Sequence, residues 1–155
     1  GYVFNGLTHD SYVVEYQEKP DCMSHETYEP IIEKPWSVKT MTLGELLGNI
    51  RAELGEKAVV DFDRDIATTA SCACGEHMEL FKPVHKLRGD MLVCPKCGAM
   101  MQFDTMHTVR GDEPYLDKTL AELGIPPLHI VCGRVGMDAK YYEFTADEEE
   151  VFSAL

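Results

Sequence analysis

Basic residues are scarce in this chain of 155 residues: 14 lysines and arginines stand against 27 aspartates and glutamates, a formal net charge of −13. No basic stripe interrupts that balance, and so acidic a chain repels phosphate backbones, which argues against nucleic acid as a partner. An acidic surface suits a basic protein partner, or serves solubility alone. Long apolar runs are missing too. None approaches the roughly 18–20 residues that cross a bilayer, so no membrane partner is expected. The start, Gly1-Tyr2-Val3-Phe4, has neither the basic region nor the apolar core of a signal peptide. It also lacks an initiator Met, which reads as a piece of a longer protein or as a cloning scar. Neither G-x-G-x-x-G nor G-x-x-x-x-G-K-[ST] occurs, so the chain carries no glycine-rich phosphate loop of its own. The G-x-S-x-G nucleophile turn is absent as well. What remains, 45% hydrophobic residues, is the composition of a globular chain, and the length suits one domain with appendages.

The most informative residues present are four cysteines in two tight pairs, Cys72-Ala73-Cys74 and Cys94-Pro95-Lys96-Cys97, each followed directly by a glycine, Gly75 and Gly98. Such turns point two thiolates at one spot, and the glycine lets the backbone curl so that N–H groups approach the sulfurs. Two of them nineteen residues apart can surround one tetrahedral Zn²⁺. Nothing marks the chain for export, so a cytoplasmic setting is expected and disulfides are disfavoured. Four thiolates close the coordination shell, which makes the zinc structural rather than catalytic. His77, three residues beyond Cys74, is the alternative fourth ligand.

Residues 1–38 read as an irregular lead-in with one strand at 11–16, and Pro30 and Pro35 keep the stretch around them extended. Residues 42–54 predict a helix. Thr42 and Glu45 form a capping box, Met41 and Leu46 a hydrophobic staple, and Leu43, Leu46, Leu47, Ile50 and Leu54 one apolar stripe stopped by Gly55. Strands are expected over 58–63 and 66–71, a hairpin about Gly89-Asp90, and a strand over 99–109. A short helix over 116–123 with Asp117 as N-cap, ended by Gly124 and Pro126-Pro127, precedes two strands, 128–132 and 141–145. The run Asp147-Glu148-Glu149-Glu150 reads as a solvated end. The class is α+β, with helices on one face of a mixed sheet.

Weaker candidates remain. Asp61, Asp63 and Asp65 alternate along a strand, which fits a solvated face better than a cation site. His85 and His107 read as surface or satisfied interior groups, and His129 has no identifiable partner. Cys132 is isolated in an apolar strand. Cys22 and His25 form half a metal site whose mates would lie upstream, or a non-functional remnant; a nucleophile–base pair is the weaker reading, since no orienting third residue is visible. An enzyme using Cys22 or the zinc is the weakest functional reading.

The segment Asp117-Lys118-Thr119-Leu120-Ala121-Glu122-Leu123-Gly124-Ile125, followed by 128–131 and 141–144, resembles the end of the ubiquitin-fold domain of enzymes that activate ubiquitin-like proteins. The Thr42-Leu43-Gly44-Glu45-Leu46-Leu47 helix resembles that domain's opening helix. Tyr16 through Glu26, with Pro20-Asp21-Cys22 and His25, resembles the final strand and metal-binding end of a ThiF/MoeB/HesA-type adenylation domain. Two departures stand out: His25 replaces a usual cysteine, and the zinc ribbon at about 70–100 is an insertion. The resemblance implies a lead-in over 1–38 and a β-grasp domain over 39–155 carrying the inserted ribbon. It implies a C-terminal adaptor that recruits a conjugating enzyme or ubiquitin-like carrier protein. ATP would then be used only by the parent protein, and no catalytic residue carries over to this segment. The alternative is a free-standing zinc-ribbon protein-interaction module.

Overall fold

Helix formation starts from the capping box. In the computed structural model, which describes residues 1–15 and 28–153, the Thr42 side chain accepts from Glu45 N at 3.2 Å and Glu45 Oε2 accepts from Thr42 N at 2.8 Å. Those bonds satisfy two of the donors that a helix start leaves open. Helix α1 runs from Leu43 to Leu54 and ends at Gly55, whose φ of 101° suits glycine. Leu43, Leu46, Leu47 and Ile50 are buried, and Leu54 is partly buried against the same core.

The strands form two sheets. β1 (Tyr2–Asn5) and β2 (Asp10–Val13) make an antiparallel hairpin of mostly exposed residues. The larger sheet comprises β3 (Ile31–Lys34), β4 (Val59–Ser71), β5 (His77–Pro83), β6 (Gln102–Val109), β7 (Ile130–Val135) and β8 (Asp138–Phe144). Its order is β3-β8-β7-β4-β5, with β6 on β4. β3 runs parallel to β8, and the other pairs are antiparallel. A short helix, α2 (Glu148–Ser153), follows.

β4 is the spine. At Val59–Asp61 it pairs with β7, at Ile66–Ser71 with β5, and β6 accompanies both parts. Register shifts between Asp61 and Ile66 separate the two halves. The first half lies over the main core, where α1 packs with Val60, Phe62, Val131, Tyr142 and Phe144. The second half carries a smaller apolar cluster of Ala70, Cys72, Cys94 and Met101. Trp36, the single tryptophan, lies 5.8 Å from the Tyr142 ring and 6.0 Å from that of Phe144.

Several expectations are corrected. The two strands expected at 58–63 and 66–71 are one, β4. β5 was not expected, although Met78 and Leu80 alternate with His77 and Glu79. No hairpin forms about Gly89-Asp90. Arg88 donates to both Asp90 carboxylate oxygens at 3.2 and 3.0 Å, and this stretch folds as short 3-10 turns. No helix forms over 116–123. Thr119, not Asp117, caps a single turn by exchanging bonds with Glu122, and Gly124 and Pro126 end it there. The N–H groups of Leu120 and Ala121 are drawn instead to Met41 O and Val38 O. Asp147 is not part of a purely solvated end either. Its carboxylate accepts from Ser37 Oγ at 2.7 Å and Val38 N at 2.9 Å.

Two positions test this architecture. A Cβ on Gly133 would lie 2.7 Å from Ile50 Cγ2 and 3.0 Å from the Tyr142 ring, so glycine sets how closely α1 approaches β7. Gly133→Ala is expected to cost about 1–3 kcal/mol, the range for overpacked sites, measured by urea denaturation. Asp61, on the spine, accepts from Thr108 Oγ1 on β6 and Arg134 Nε on β7, both at 2.6 Å. Burial pushes its pKa up, but these bonds outweigh it and hold the carboxyl below its usual value. A depressed carboxyl stabilises the fold above its unfolded pKa and loses that contribution as pH falls through the folded one. Asp61→Asn is therefore expected to lose about 2 kcal/mol near neutral pH, the order for hydrogen bonds to a charged group, and to flatten the acid side of the stability profile.

Candidate metal centre

The centre is assembled by two tight turns, one at the end of β4 and one before β6. In the first, Cys72 N donates to Glu76 O and Gly75 N donates back to Cys72 O, both at 2.9 Å. In the second, Cys94 N donates to Ala99 O at 2.8 Å and Gly98 N to Cys94 O at 2.9 Å. Gly75 and Gly98 have φ of 87° and 75°. No atom crowds a Cβ at either position, so left-handed backbone geometry, not lack of space, selects glycine. The Val93–Met100 bridge closes the second turn.

The two turns interleave. Cys72 Sγ lies 3.5 Å from Cys97 Sγ, and Cys74 Sγ 3.6 Å from Cys94 Sγ, so each short contact joins one turn to the other. All four sulfurs lie within 4.8 Å of one another. Sulfurs at tetrahedral corners about 2.3 Å from a zinc ion would be separated by about 3.8 Å. The four cysteines therefore lie close enough to hold a metal ion, and the spacing is compatible with structural zinc. Cys72 and Cys94 are buried, whereas Cys74 and Cys97 face solvent. Met78, Leu80 and Leu92 pack beneath the buried pair.

The sulfurs perturb one another strongly. Burial pushes the Cys94 thiol up, but N–H groups of Cys97 and Lys96 and the Cys74 and Cys72 side chains outweigh it, bringing the pKa to about 7. At Cys74 a backbone bond from Glu76 favours the thiolate, yet Cys72, burial and the other sulfurs push the pKa up to about 12. At Cys97 the Ala99 N–H and Cys74 favour the thiolate, but Cys72, Cys94 and burial raise its pKa overall. Four anionic sulfurs at this separation need a cation among them. Metal binding must therefore displace protons, and its affinity must depend on pH.

The remaining candidates do not join this centre. His77 begins β5, exposed and outside the sulfur cluster. Asp61, Asp63 and Asp65 take different partners: Arg134, Arg64 at 3.0 Å and His107 at 3.2 Å. Among the described residues, the four cysteines form the one cluster of three or more such ligands. His129, which sequence left without a partner, has Nε2 at 3.2 Å from Asp63 Oδ1. Burial lowers its pKa most, with Arg64 acting in the same direction and Asp63 opposing. That neighbour could not be read from the sequence, because β4 and β7 are distant along the chain. Cys132 is half-buried beside Asp61, and burial raises its thiol pKa. Cys22 and His25 lie outside the described residues. None of the described helices is long and apolar enough to cross a membrane.

No protein-family model, curated protein or solved structure matches the chain.

The geometry sets two expectations. Elemental analysis should find about one tightly held ion per chain, as one four-thiolate site requires, and Cys94→Ser should lose it. The ion should bind progressively more weakly as pH falls, because Cys74 and Cys97 already hold protons above neutral pH and Cys94 takes up another below about 7, with proton release measurable by titration in buffers of different ionisation heat. Binding indifferent to pH between 5 and 8 would contradict a thiolate site.

Proposed function

We propose that this chain is a zinc-clamped, non-catalytic adaptor. In this reading it recruits a conjugating enzyme or ubiquitin-like carrier protein to a ThiF-type adenylating enzyme, of which it forms the C-terminal part. The observation that carries the non-catalytic part is the interleaved set of four sulfurs within 4.8 Å. Tetrathiolate sites favour zinc and leave no coordination position for water or substrate, whereas a catalytic zinc keeps one open. Zinc at this position therefore acts as a clamp. ATP chemistry belongs to the parent enzyme's nucleotide domain.

The β-grasp reading is supported by α1 packed across the sheet and by the parallel pairing of β3 with β8, the outer strand with the last one. The arm of β5, the two cysteine turns and β6 enters between β4 and β7 in sequence, which supports reading it as an inserted ribbon. The net charge of −13 supports a partner with a basic docking face.

The test is binding of the zinc-loaded protein to the ubiquitin-like proteins and conjugating enzymes encoded beside the parent gene, by calorimetry at two salt concentrations. A 1:1 complex weakened by salt is expected. Failure of every one of them to bind a folded, metal-loaded chain would remove the adaptor role while leaving the clamp intact.

A further inference from the structure

A cavity of about 160 Å³ lies away from the cysteines, between β4, the turn after β5 and the loop before β7. Phe62, Ile66 and Ile125, all buried in the main core, contribute apolar wall. Asp63, Arg64, His85, Lys86 and His129 contribute the polar groups. The volume is about that of an engineered cavity known to admit a benzene-sized molecule.

Three backbone irregularities converge here. β4 loses regular register between Asp61 and Ile66, which includes the wall residues Phe62, Asp63 and Arg64. Bulged strands of this kind re-aim side chains beside functional sites. Leu128, directly before His129, has φ of 56°, and Phe81, two residues before the wall residue Pro83, has φ of 41°. A bulky non-glycine residue in the left-handed region costs free energy and persists only where the surroundings impose it. Gly124 allows the two walls to meet, since a Cβ there would lie 3.0 Å from Pro83 Cδ.

The charges are unlike those of the chain as a whole. Two full cations, Arg64 and Lys86, face one carboxylate, Asp63, in a molecule of net charge −13. Arg64 holds Asp63 through Nε at 3.0 Å and touches His85 Nε2 through Nη1 at 3.2 Å. His129 Nε2 is buried and has no hydrogen-bond partner, because its 3.2 Å approach to Asp63 Oδ1 lacks hydrogen-bonding geometry. An unsatisfied buried ring nitrogen is costly, and a bound polar group would relieve it.

We propose that this cavity binds a carboxylate carried on a short apolar stem. The stem fills the space against Phe62, Ile66 and Ile125, and the carboxylate meets Arg64, Lys86 and the unpartnered His129 Nε2. The same chemistry is offered by a free short-chain acid and by the C-terminal carboxylate of a peptide ending in a small apolar residue. This assignment is independent of the adaptor role.

The test is amide and imidazole NMR of the intact, zinc-loaded chain. It is titrated separately with isovalerate, inorganic phosphate, and a valine-terminated peptide in free-acid and amidated forms. Saturable shifts at residues 62–66, 124–126 and His129 are expected with isovalerate or with the free-acid peptide. Shifts with isovalerate assign a free acid, and shifts with the free-acid peptide alone assign a chain terminus. Arg64→Gln and, separately, Lys86→Gln should each weaken binding roughly tenfold, the order for a charge-assisted bond, with the rest of the spectrum unchanged. No saturable shift with either carboxylate, preference for phosphate, equal binding of the amidated peptide, or unchanged wild-type affinity in both variants would each overturn the proposal.

Discussion

Four sulfur atoms that all prefer to be anionic when they bind metal are held within 4.8 Å of one another by two backbone turns. Much of the far half of the molecule follows from that constraint. Without a cation the site is divided, with one thiol brought down to about 7 and another pushed up to about 12. With a cation the four become equivalent ligands, and the two turns of the β5–β6 arm, one before each strand, are tied to one point. The small cluster of Ala70, Cys72, Cys94 and Met101 is too slight to fix that arm alone, since a core of this size buries little apolar surface.

The near half depends on different physics. Here α1 lays a stripe of leucines and Ile50 across β4, β7 and β8, and Gly133 permits the contact. That core is built of apolar side chains and includes none of the four clustered cysteines. β4 belongs to both halves, because its thirteen residues begin over the main core and end at Ser71, directly before Cys72. The register irregularity at 61–66 is where one strand changes from one set of neighbours to the other. Asp61 fastens that junction through Thr108 and Arg134, and the cavity beside Asp63 opens at the same place.

The sequence made some of this legible and hid the rest for identifiable reasons. Local rules were reliable where they were closed within a few residues: the Thr42–Glu45 box, the stop at Gly55, the glycines after each cysteine pair, and the strands that became β6, β7 and β8. They failed where tertiary partners competed. Leu116, Leu120 and Leu123 have helical spacing, yet the N–H groups of Leu120 and Ala121 bond to Met41 and Val38, leaving one capped turn. Gly89-Asp90 resembles a hairpin turn, yet Asp90 is held by Arg88. The metal centre was visible because its residues come in short spacings. The His129–Asp63 contact was not, because only the pairing of β4 with β7 creates it.

The central claim is that a metal held by the four cysteines fixes the β5–β6 arm and the apolar core fixes the remainder. Hydrogen exchange, measured on the same protein with zinc bound and after chelation, tests this most directly. The account predicts that chelation speeds exchange over residues 72–101, which include β5, and the adjoining end of β6, while α1, β7 and β8 keep their protection. Unchanged exchange in the arm, or equal loss of protection in α1 and the arm, would contradict it.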